Sequence, residues 1–569
     1  MRRRHRFTAA WPALGVTIAL LAAACSSANL SDSPGGTGAV PATAPPGAVG
    51  SWPAFGYDQD NSRTNADERI ITADNVGGLV ERWSVDGIEG VTSTPVVLDG
   101  TAYFGDWTGA VHAVSIADGA TVWKTDLIDQ NIMSSVAVED DAVYIATNSR
   151  LFKVDRETGA KAWEVTTSPN PIAITPAAPV VVDGRVILGV ASGELMIARE
   201  KYSFRGSVTA YAVADGALDW QVWLTKGDET EGAGVGVWST PSVDPERGLI
   251  FVGTGNTYEP PASPMADSIV AIRSATGEIA WNRQFTFPDV FSGGYREGAD
   301  ADVGAGPNLW EQDGKALVGA GDKTGTYYAL DRDSGEIVWQ TEMTAGSALG
   351  GVIGTSAVDA TQIYVGSNVG DPATNSPTGA AKVLALSRDG GSIVWETEIE
   401  GAIYAPISVS PGVVYVATVA GTMYAFAADD GEQLWSFTAE DQVGGGATVV
   451  DGTVLWGWGF ALFRSGSGKG GLIAFRPGGR TPGGSTGDTV ADETDGARLY
   501  RTVCASCHGR KGEGGVGPTL IGIEDRLTVE QHLAIVNGGR GSQMPAFRNA
   551  LTPEEIAAVV DHERTELDG

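Results

Sequence analysis

Residues 327–339 read YYALDRDSGEIVW, and six further stretches follow the same rule. They are VHAVSIADGATVW (111–123), LFKVDRETGAKAW (151–163), VTAYAVADGALDW (208–220), IVAIRSATGEIAW (269–281), VLALSRDGGSIVW (383–395) and MYAFAADDGEQLW (423–435). Each places a glycine four residues before a tryptophan, giving Trp123, Trp163, Trp220, Trp281, Trp339, Trp395 and Trp435. An eighth, Trp83, precedes Trp123 by 40 residues, and an unpartnered GLIAF lies at 471–475. Every unit reads as two strands joined by an Asp- and Gly-rich turn, preceded by alternating runs such as STPVVLDGTAYFGD (93–106) that supply two more. Four strands per unit of about 40 residues is the arithmetic of a propeller blade, which buries its faces only against its neighbours. The rungs of a parallel β-helix are too short for this period. The unpaired ends are reconciled if the strand at 80–85 closes the last blade beside 472–475, giving an all-β, eight-bladed β-propeller.

Successive tryptophans are spaced 40, 40, 57, 61, 58, 56 and 40 residues apart. The four long intervals carry inserted loops on consecutive blades, and enlarged loops on a rigid scaffold are where a site is expected.

The rest of the composition narrows the function. The chain has 569 residues, 38 Lys plus Arg against 70 Asp plus Glu, and a formal net charge of −32. That balance lacks the electrostatic footprint of a nucleic-acid binder and repels anionic substrates. A hydrophobic content of 42% supports a large buried core. Three cysteines cannot form a disulfide framework, so each needs its own explanation.

The first cysteine follows MRRRHR and an apolar stretch from Phe7 to Ala24. A basic start, a short apolar run and small residues describe a secretory signal. The segment Leu20-Leu21-Ala22-Ala23-Ala24-Cys25 resembles the lipobox of bacterial lipoproteins, which implies lipidation at Cys25; ordinary signal cleavage nearby is the alternative. Residues 1–25 are thus a signal peptide with lipobox, and 26–50 a flexible tether rich in Ser, Pro, Gly and Ala. Secretion to the periplasm or cell surface, anchored by lipid alone, is the expectation. The propeller spans 51–476, a Gly-, Pro- and acid-rich linker 477–495, and a C-terminal module 496–569.

The motif A-x-D-x-x-[TS]-G-x-x-x-W resembles the tryptophan-docking motif of quinoprotein dehydrogenases, which bind pyrroloquinoline quinone (PQQ) in an eight-bladed propeller. WPAFGYDQDNSRTNADERIITADNVGGLVERW (52–83) is similar to the polyvinyl-alcohol-dehydrogenase-like branch. The resemblance covers nearly all of 52–476 and implies a PQQ-dependent oxidation of an alcohol, polymeric or secondary ones included. A sugar or aldose dehydrogenase using the same cofactor is one alternative. A non-enzymatic propeller scaffold carrying an electron-transfer cytochrome is another.

Oxidising an alcohol requires a base for the hydroxyl proton and an electrophile at the acceptor's carbonyl. His112 is the single histidine of the propeller, which points to a carboxylate base. By the resemblance, Glu194 in GVASGELM and Asn256 in FVGTGN are calcium ligands, hard oxygen donors suited to Ca²⁺. Trp238 in VWSTPSVDP is the residue on which PQQ stacks, and Lys323 in AGDKTGTYYALD the cation at the quinone oxygens. Glu194 also touches PQQ in that pattern. The base falls on Asp300 in GADADVGAGP, also a calcium ligand, with Asp302 as alternate. A solvated glutamate, a turn asparagine, a packing tryptophan and a hairpin lysine are the plainer readings of the same residues. Two departures stand out: Ala299 and Ala301 replace the usual aromatics around the aspartates, and no adjacent cysteine pair is available to cover the quinone. Tyr202 or Phe204, in MIAREKYSF, is the expected substitute.

In the C-terminal module, ARLYRTVCASCHGRKGEG supplies Cys504, Cys507 and His508, the C-x-x-C-H site of a c-type haem. Both sulfurs form thioethers while the imidazole ligates iron. Met544 in GSQMPAF matches the axial methionine of small cytochromes c, and Pro518 in GVGPTL the loop at the haem edge. TPEEIAAVVDHERTEL reads as a capped terminal helix after Thr552. His532 and His562, on or beside helices, are expected to be solvated. The module is expected to be a small all-α cytochrome c domain passing electrons to an external cytochrome or respiratory chain.

Overall fold

Alternating apolar residues in short runs pair into eight antiparallel sheets, arranged in sequence order around an axis. In the computed structural model the described residues are 50–128, 130–296, 298–459 and 469–478; in the C-terminal module they are 496, 500, 504, 508–509, 511–514, 517–540, 544, 547, 553–565 and 567. The signal peptide, Cys25, the tether to residue 49, most of the linker and Cys507 lie outside them. No described helix is long and apolar enough to cross a membrane.

Blades 1 to 7 occupy 96–126, 137–166, 173–223, 242–284, 308–342, 357–400 and 408–438. Blade 8 takes three strands from 448–477 and its fourth from Leu79–Ile88. That early strand pairs antiparallel with Gly470–Pro477, Val80 opposite Arg476 and Val85 opposite Leu472. Ring closure is therefore the one expected from the two orphan strands in the sequence. Its hydrogen bonds satisfy both edges, which otherwise invite association.

Each tryptophan of the repeat sits on the outermost strand of its blade, and all but Trp435 meet the turn glycine of the next. Trp83 faces Gly119, Trp123 Gly159, Trp163 Gly216, Trp220 Gly277, Trp281 Gly335, Trp339 Gly391 and Trp395 Gly431. These glycines have φ of 70–75°, and a Cβ on any of them would approach the indole to 2.3–3.0 Å. Glycine is required here twice over, by the left-handed backbone and by the ring that covers it. Seven of the eight indole N–H groups donate across the blade boundary at 2.9–3.2 Å, Trp435 to the Leu79 carbonyl among them. The Trp339 Nε1 is buried without a partner.

The segment 52–68 crosses one end of the ring. Trp52 exchanges backbone hydrogen bonds with Val97, and the carbonyls of Gln59, Asp60, Ser62 and Arg63 accept from Val243, Leu309, Val358 and Val409. Asn65 Nδ2 donates to the Val449 carbonyl. Six of the eight innermost strands are thereby tied to one stretch of chain.

In the C-terminal module, helix α1 (Val529–Gly538) carries a capping box between Thr528 and Gln531, and α2 (Pro553–Thr565) packs against it. Tyr500, Cys504, Leu520, Val536, Ile556 and Val559 form their shared core.

Candidate active site

The long intervals enlarge blades 3 to 6, and four of the candidate residues reach one axial cavity of about 410 Å³ from those blades, while Glu194 and Asp300 do not line it. Glu194, Asn256 and Lys323 each follow the second long strand of a blade: Arg185–Ser192, Leu249–Gly253 and Lys315–Gly321. The strand ends thus fix the three side chains at the same end of the ring.

Trp238, Asn256, Asp302 and Lys323 line the cavity. Trp238 lies against two glycines, since a Cβ on Gly304 would fall 1.8 Å from its ring and one on Gly255 3.4 Å from its Nε1. Lys323 is held in an Asp-Lys-Thr-Gly turn that Asp322 fastens by accepting from Thr324 N at 3.0 Å and Thr326 N at 3.2 Å. Its ammonium is buried, donates to Asp300 Oδ2 at 2.9 Å and Asp302 Oδ2 at 2.6 Å, and stands 5.6 Å from the Trp238 ring centroid. It is not a solvated hairpin lysine.

The two aspartates differ. Asp302 is on the wall, and its second oxygen accepts from Asn256 N at 2.6 Å, so both oxygens are engaged. Asp300 stands behind the wall in a left-handed conformation, φ 61°, with Oδ1 buried and unpartnered. Burial pushes its carboxyl up to about 7; the Lys323 charge pulls against this and Asp302 adds to it. Burial works against the Lys323 ammonium, yet Asp302 and Asp300 outweigh it and hold its pKa above the ordinary lysine range. Asp289 fixes the loop from behind, its carboxylate accepting Asp300 N at 3.2 Å and Ala301 N at 2.7 Å. The sequence reading missed Asp289, whose only signal is its place in the inserted loop.

Glu194 is buried in the single 3₁₀ turn Gly193–Met196, with Ser192 Oγ accepting its N–H at 3.0 Å. Its carboxylate receives Arg199 Nη1 at 2.7 Å, Ser203 Oγ at 3.1 Å, Ser203 N at 3.1 Å and Phe204 N at 2.7 Å. Asn256 Nδ2 donates to the carbonyls of Thr257 and Phe291. His112 does not line the cavity; it is bonded to Asp106 Oδ2 at 2.8 Å and stacked on Phe104.

Neither aromatic expected to cover the quinone lies on the cavity wall. Tyr202, Phe204 and Tyr258 share one buried cluster, and of these three only Tyr258 lines the cavity, with Phe204 stacked behind it at 6.0 Å. Tyr258 lies two residues after Asn256, a position that alternation along the chain could have flagged.

In the C-terminal module His508 is buried and its Nδ1 donates to the Pro518 carbonyl at 2.8 Å. A carbonyl only accepts, so the proton is on Nδ1 and Nε2 keeps its lone pair for a metal. Cys504 lies in the apolar cluster against which Met544 and Phe547 pack. His532 corrects the expectation of solvation, for it is buried and paired with Glu563 at 2.9 Å. His562 is half-buried and tilted on Tyr500.

The sequence pattern described as "PQQ: Glucose/ethanol/alcohol dehydrogenase, beta-propeller domain" matches residues 52–375, more than half of the chain. The chain belongs to the PQQ dehydrogenase propeller family. A pattern for the outer membrane protein assembly factor BamB matches 323–508, and one for cytochrome c oxidase, cbb3-type, subunit III matches 491–562. The PQQ propeller is 27% identical over 432 residues to a polyvinylalcohol dehydrogenase of Pseudomonas sp, covering 68% of this chain and 67% of that one. The chain is 26% identical over 661 residues to quinohemoprotein alcohol dehydrogenase ADH-IIG of Pseudomonas putida, covering 89% of each. The solved structure of ADHIIG from Pseudomonas putida HK5 shares the fold, with TM-score 0.62, 23% identity, and coverage of 91% of this chain and 96% of that one.

PQQ is a flat quinone bearing three carboxylates, and the cavity fits it: an indole face backed by glycines, with a buried ammonium at the edge. Haem c fits the C-terminal module, where His508 is oriented by Pro518 and Cys504 and Met544 share one apolar core. The carboxylates expected to hold calcium are engaged by protein donors as the residues stand. The Glu194 carboxylate accepts four donors, the Asp300–Asp302 pair is held by Lys323, and no three acidic, His or Cys side chains among the described residues converge as a metal group. In the expected ligand set Glu194, Asn256 and Asp300, protein cations hold both carboxylates in this structure.

Proposed function

We propose that this chain oxidises an alcohol with PQQ in the propeller cavity and hands the electrons to a c-type haem in its own C-terminal module. The observation that carries the reading is the Lys323 ammonium, buried beside Trp238 and bonded to both Asp300 and Asp302. PQQ, when bound, supplies the two-electron acceptor. Trp238 offers it a stacking face, and the Lys323 ammonium supplies positive charge at the cavity wall. Asp300, whose buried Oδ1 carries no hydrogen bond, is the base for the hydroxyl proton at a carboxyl poised near neutrality, with Asp302 on the cavity wall as alternate. Asp302 positions the ammonium and Asn256 through its two engaged oxygens.

Met133, Ile174, Leu195, Leu349 and Ile353 make the remaining cavity wall largely apolar. This favours alcohols with hydrocarbon substituents over sugars, whose many hydroxyls need polar partners. The presence of a haem site supports an enzyme over a scaffold, which has no need of an electron exit.

The reading extends to export, lipid anchoring at Cys25 and an external cytochrome or respiratory-chain acceptor, on the strength of the basic apolar leader and the lipobox. A Cys25→Ser variant that still incorporates labelled fatty acid overturns the anchor. The central test is reconstitution of the purified protein with PQQ, followed by haem absorbance on adding primary, secondary and polymeric alcohols and glucose. Haem reduction by alcohols is expected. No PQQ binding ends the reading, and reduction by glucose alone moves it to sugars.

A further inference from the structure

Arg63 has no exposed surface, lies in the segment that crosses the end of the ring, and is used by nothing in the reaction described above. Its guanidinium donates to the Ile407 carbonyl at 2.5 Å, to Ser408 Oγ at 2.9 Å, to Thr94 Oγ1 at 3.4 Å and to the Phe55 carbonyl. Every acceptor is neutral. A buried cation without a counter-charge is costly, and nature usually pairs it or does without it. Burial alone pushes its pKa down, to about 9, so it remains charged at neutral pH.

Its location gives the charge a use. The guanidinium lies 4.5 Å from the Phe55 ring centroid, and Phe55, Thr94 and Pro406 all line the cavity that holds Trp238 and Lys323. A Cβ on Gly446 would meet Arg63 Nη2 at 2.5 Å, Pro406 Cγ and Thr94 Oγ1 at 2.9 Å, so cation and wall are one layer apart. Among the described residues Lys323 is the only cation in the lining, and Asp300 and Asp302 already engage it. In a chain of net charge −32, a ligand with three carboxylates therefore finds no spare positive charge on the wall itself.

We infer that Arg63 is the buried counter-charge for the carboxylates of the cofactor, acting through the Phe55–Thr94 wall and setting the cavity's preference for an anionic quinone. It is a positioning residue and touches no reacting atom. A cation one layer away in a low-dielectric wall still acts strongly, because no water screens it.

This rests on the PQQ reading, and the test separates the two. Binding of PQQ and of its uncharged trimethyl ester to the full-length protein is titrated by tryptophan fluorescence. The expected result is that Arg63→Met weakens PQQ binding about tenfold or more while ester binding changes little, whereas Arg63→Lys keeps the preference. If Arg63→Met does not fold, Thr94→Asp neutralises the guanidinium in place and is expected to abolish the preference; Thr94→Val, which keeps the charge, is expected to retain it. Equal losses for both ligands, or unchanged PQQ binding in folded Arg63→Met or Thr94→Asp, overturns the inference. Wild-type protein that binds neither ligand overturns it together with the PQQ reading.

Discussion

Asp300 and Asp302 share one ammonium, yet the contacts around them divide the work. Asp302 has both oxygens bonded, while Asp300 keeps Oδ1 free at a carboxyl raised to about 7 by burial. An acid with a raised pKa is a base only above that value, so kcat is expected to rise with pH through about 7 and then level. Asp300→Asn is expected to lower kcat by about 10²–10⁴-fold with PQQ binding retained. Asp302→Asn removes a like charge that raises Asp300, so the rising limb is expected to move to lower pH with activity remaining. The pH profiles of both variants check this, and a greater loss in Asp302→Asn transfers the base to Asp302. A second residue-level expectation concerns Arg199, whose Nη1 sits on Glu194 Oε1. Arg199→Ala leaves that carboxylate without its cation, and calcium is expected to raise the thermal midpoint of this variant but not of the wild type. Melting curves with calcium and with chelator decide it; a calcium-dependent rise in the wild type refutes the present account of Glu194.

At the scale of one element, the Gly–Trp contact is the unit that repeats, and its parts can be weighed separately. Gly335→Ala forces a Cβ to within 2.6 Å of the Trp281 ring at φ 70°, and is expected to cost about 1–3 kcal/mol in unfolding free energy. Trp281→Phe forfeits the bond to the Arg332 carbonyl, whereas the Trp339 N–H has no bond to lose. Trp281→Phe is thus expected to be more destabilising than Trp339→Phe by about 1 kcal/mol, measured by denaturant unfolding. This contact was legible because glycine and tryptophan lie four residues apart on one hairpin and recur. The haem ligands were legible for the same reason, being close in sequence. What stayed hidden were contacts made across the ring: Arg63 meets Ile407 344 residues away, and of the cluster that Tyr258 shares with Phe204 it is Tyr258 that faces the cavity. Local pattern fixes which strands form, but the sharing of Lys323, Glu194 and Arg199 among partners is set by packing between loops of different blades.

For the molecule as a whole, the closing strand and the haem module follow one another in the sequence, which makes their contributions separable by truncation. Gly470–Pro477 pairs on one side with the strand that follows Val454 and on the other with Leu79–Ile88, so it alone joins the first strand to the last blade. The Gly478 N–H then bonds to the Gly78 carbonyl, and among the described residues no strand lies beyond Pro477. A chain ended after Gly478 should keep a closed ring, its cavity and its Arg63 anchor. It is expected to bind PQQ and oxidise alcohols with a soluble dye as acceptor, while losing the reduction of haem that marks the full chain. A chain ended at residue 468 lacks the closing strand, leaves Leu79–Ile88 with an open edge, and exposes the apolar surfaces of Trp456, Ile473's former partner, and Trp435. That shorter chain is expected to lose cooperative unfolding and PQQ binding together. Comparing circular-dichroism melts and dye-linked rates for the two truncations tests ring closure and electron exit independently. Dye-linked activity in the chain ended at 468 would mean that closure by the first strand is dispensable, and its absence in the chain ended after Gly478 would mean that the haem module takes part in oxidation itself.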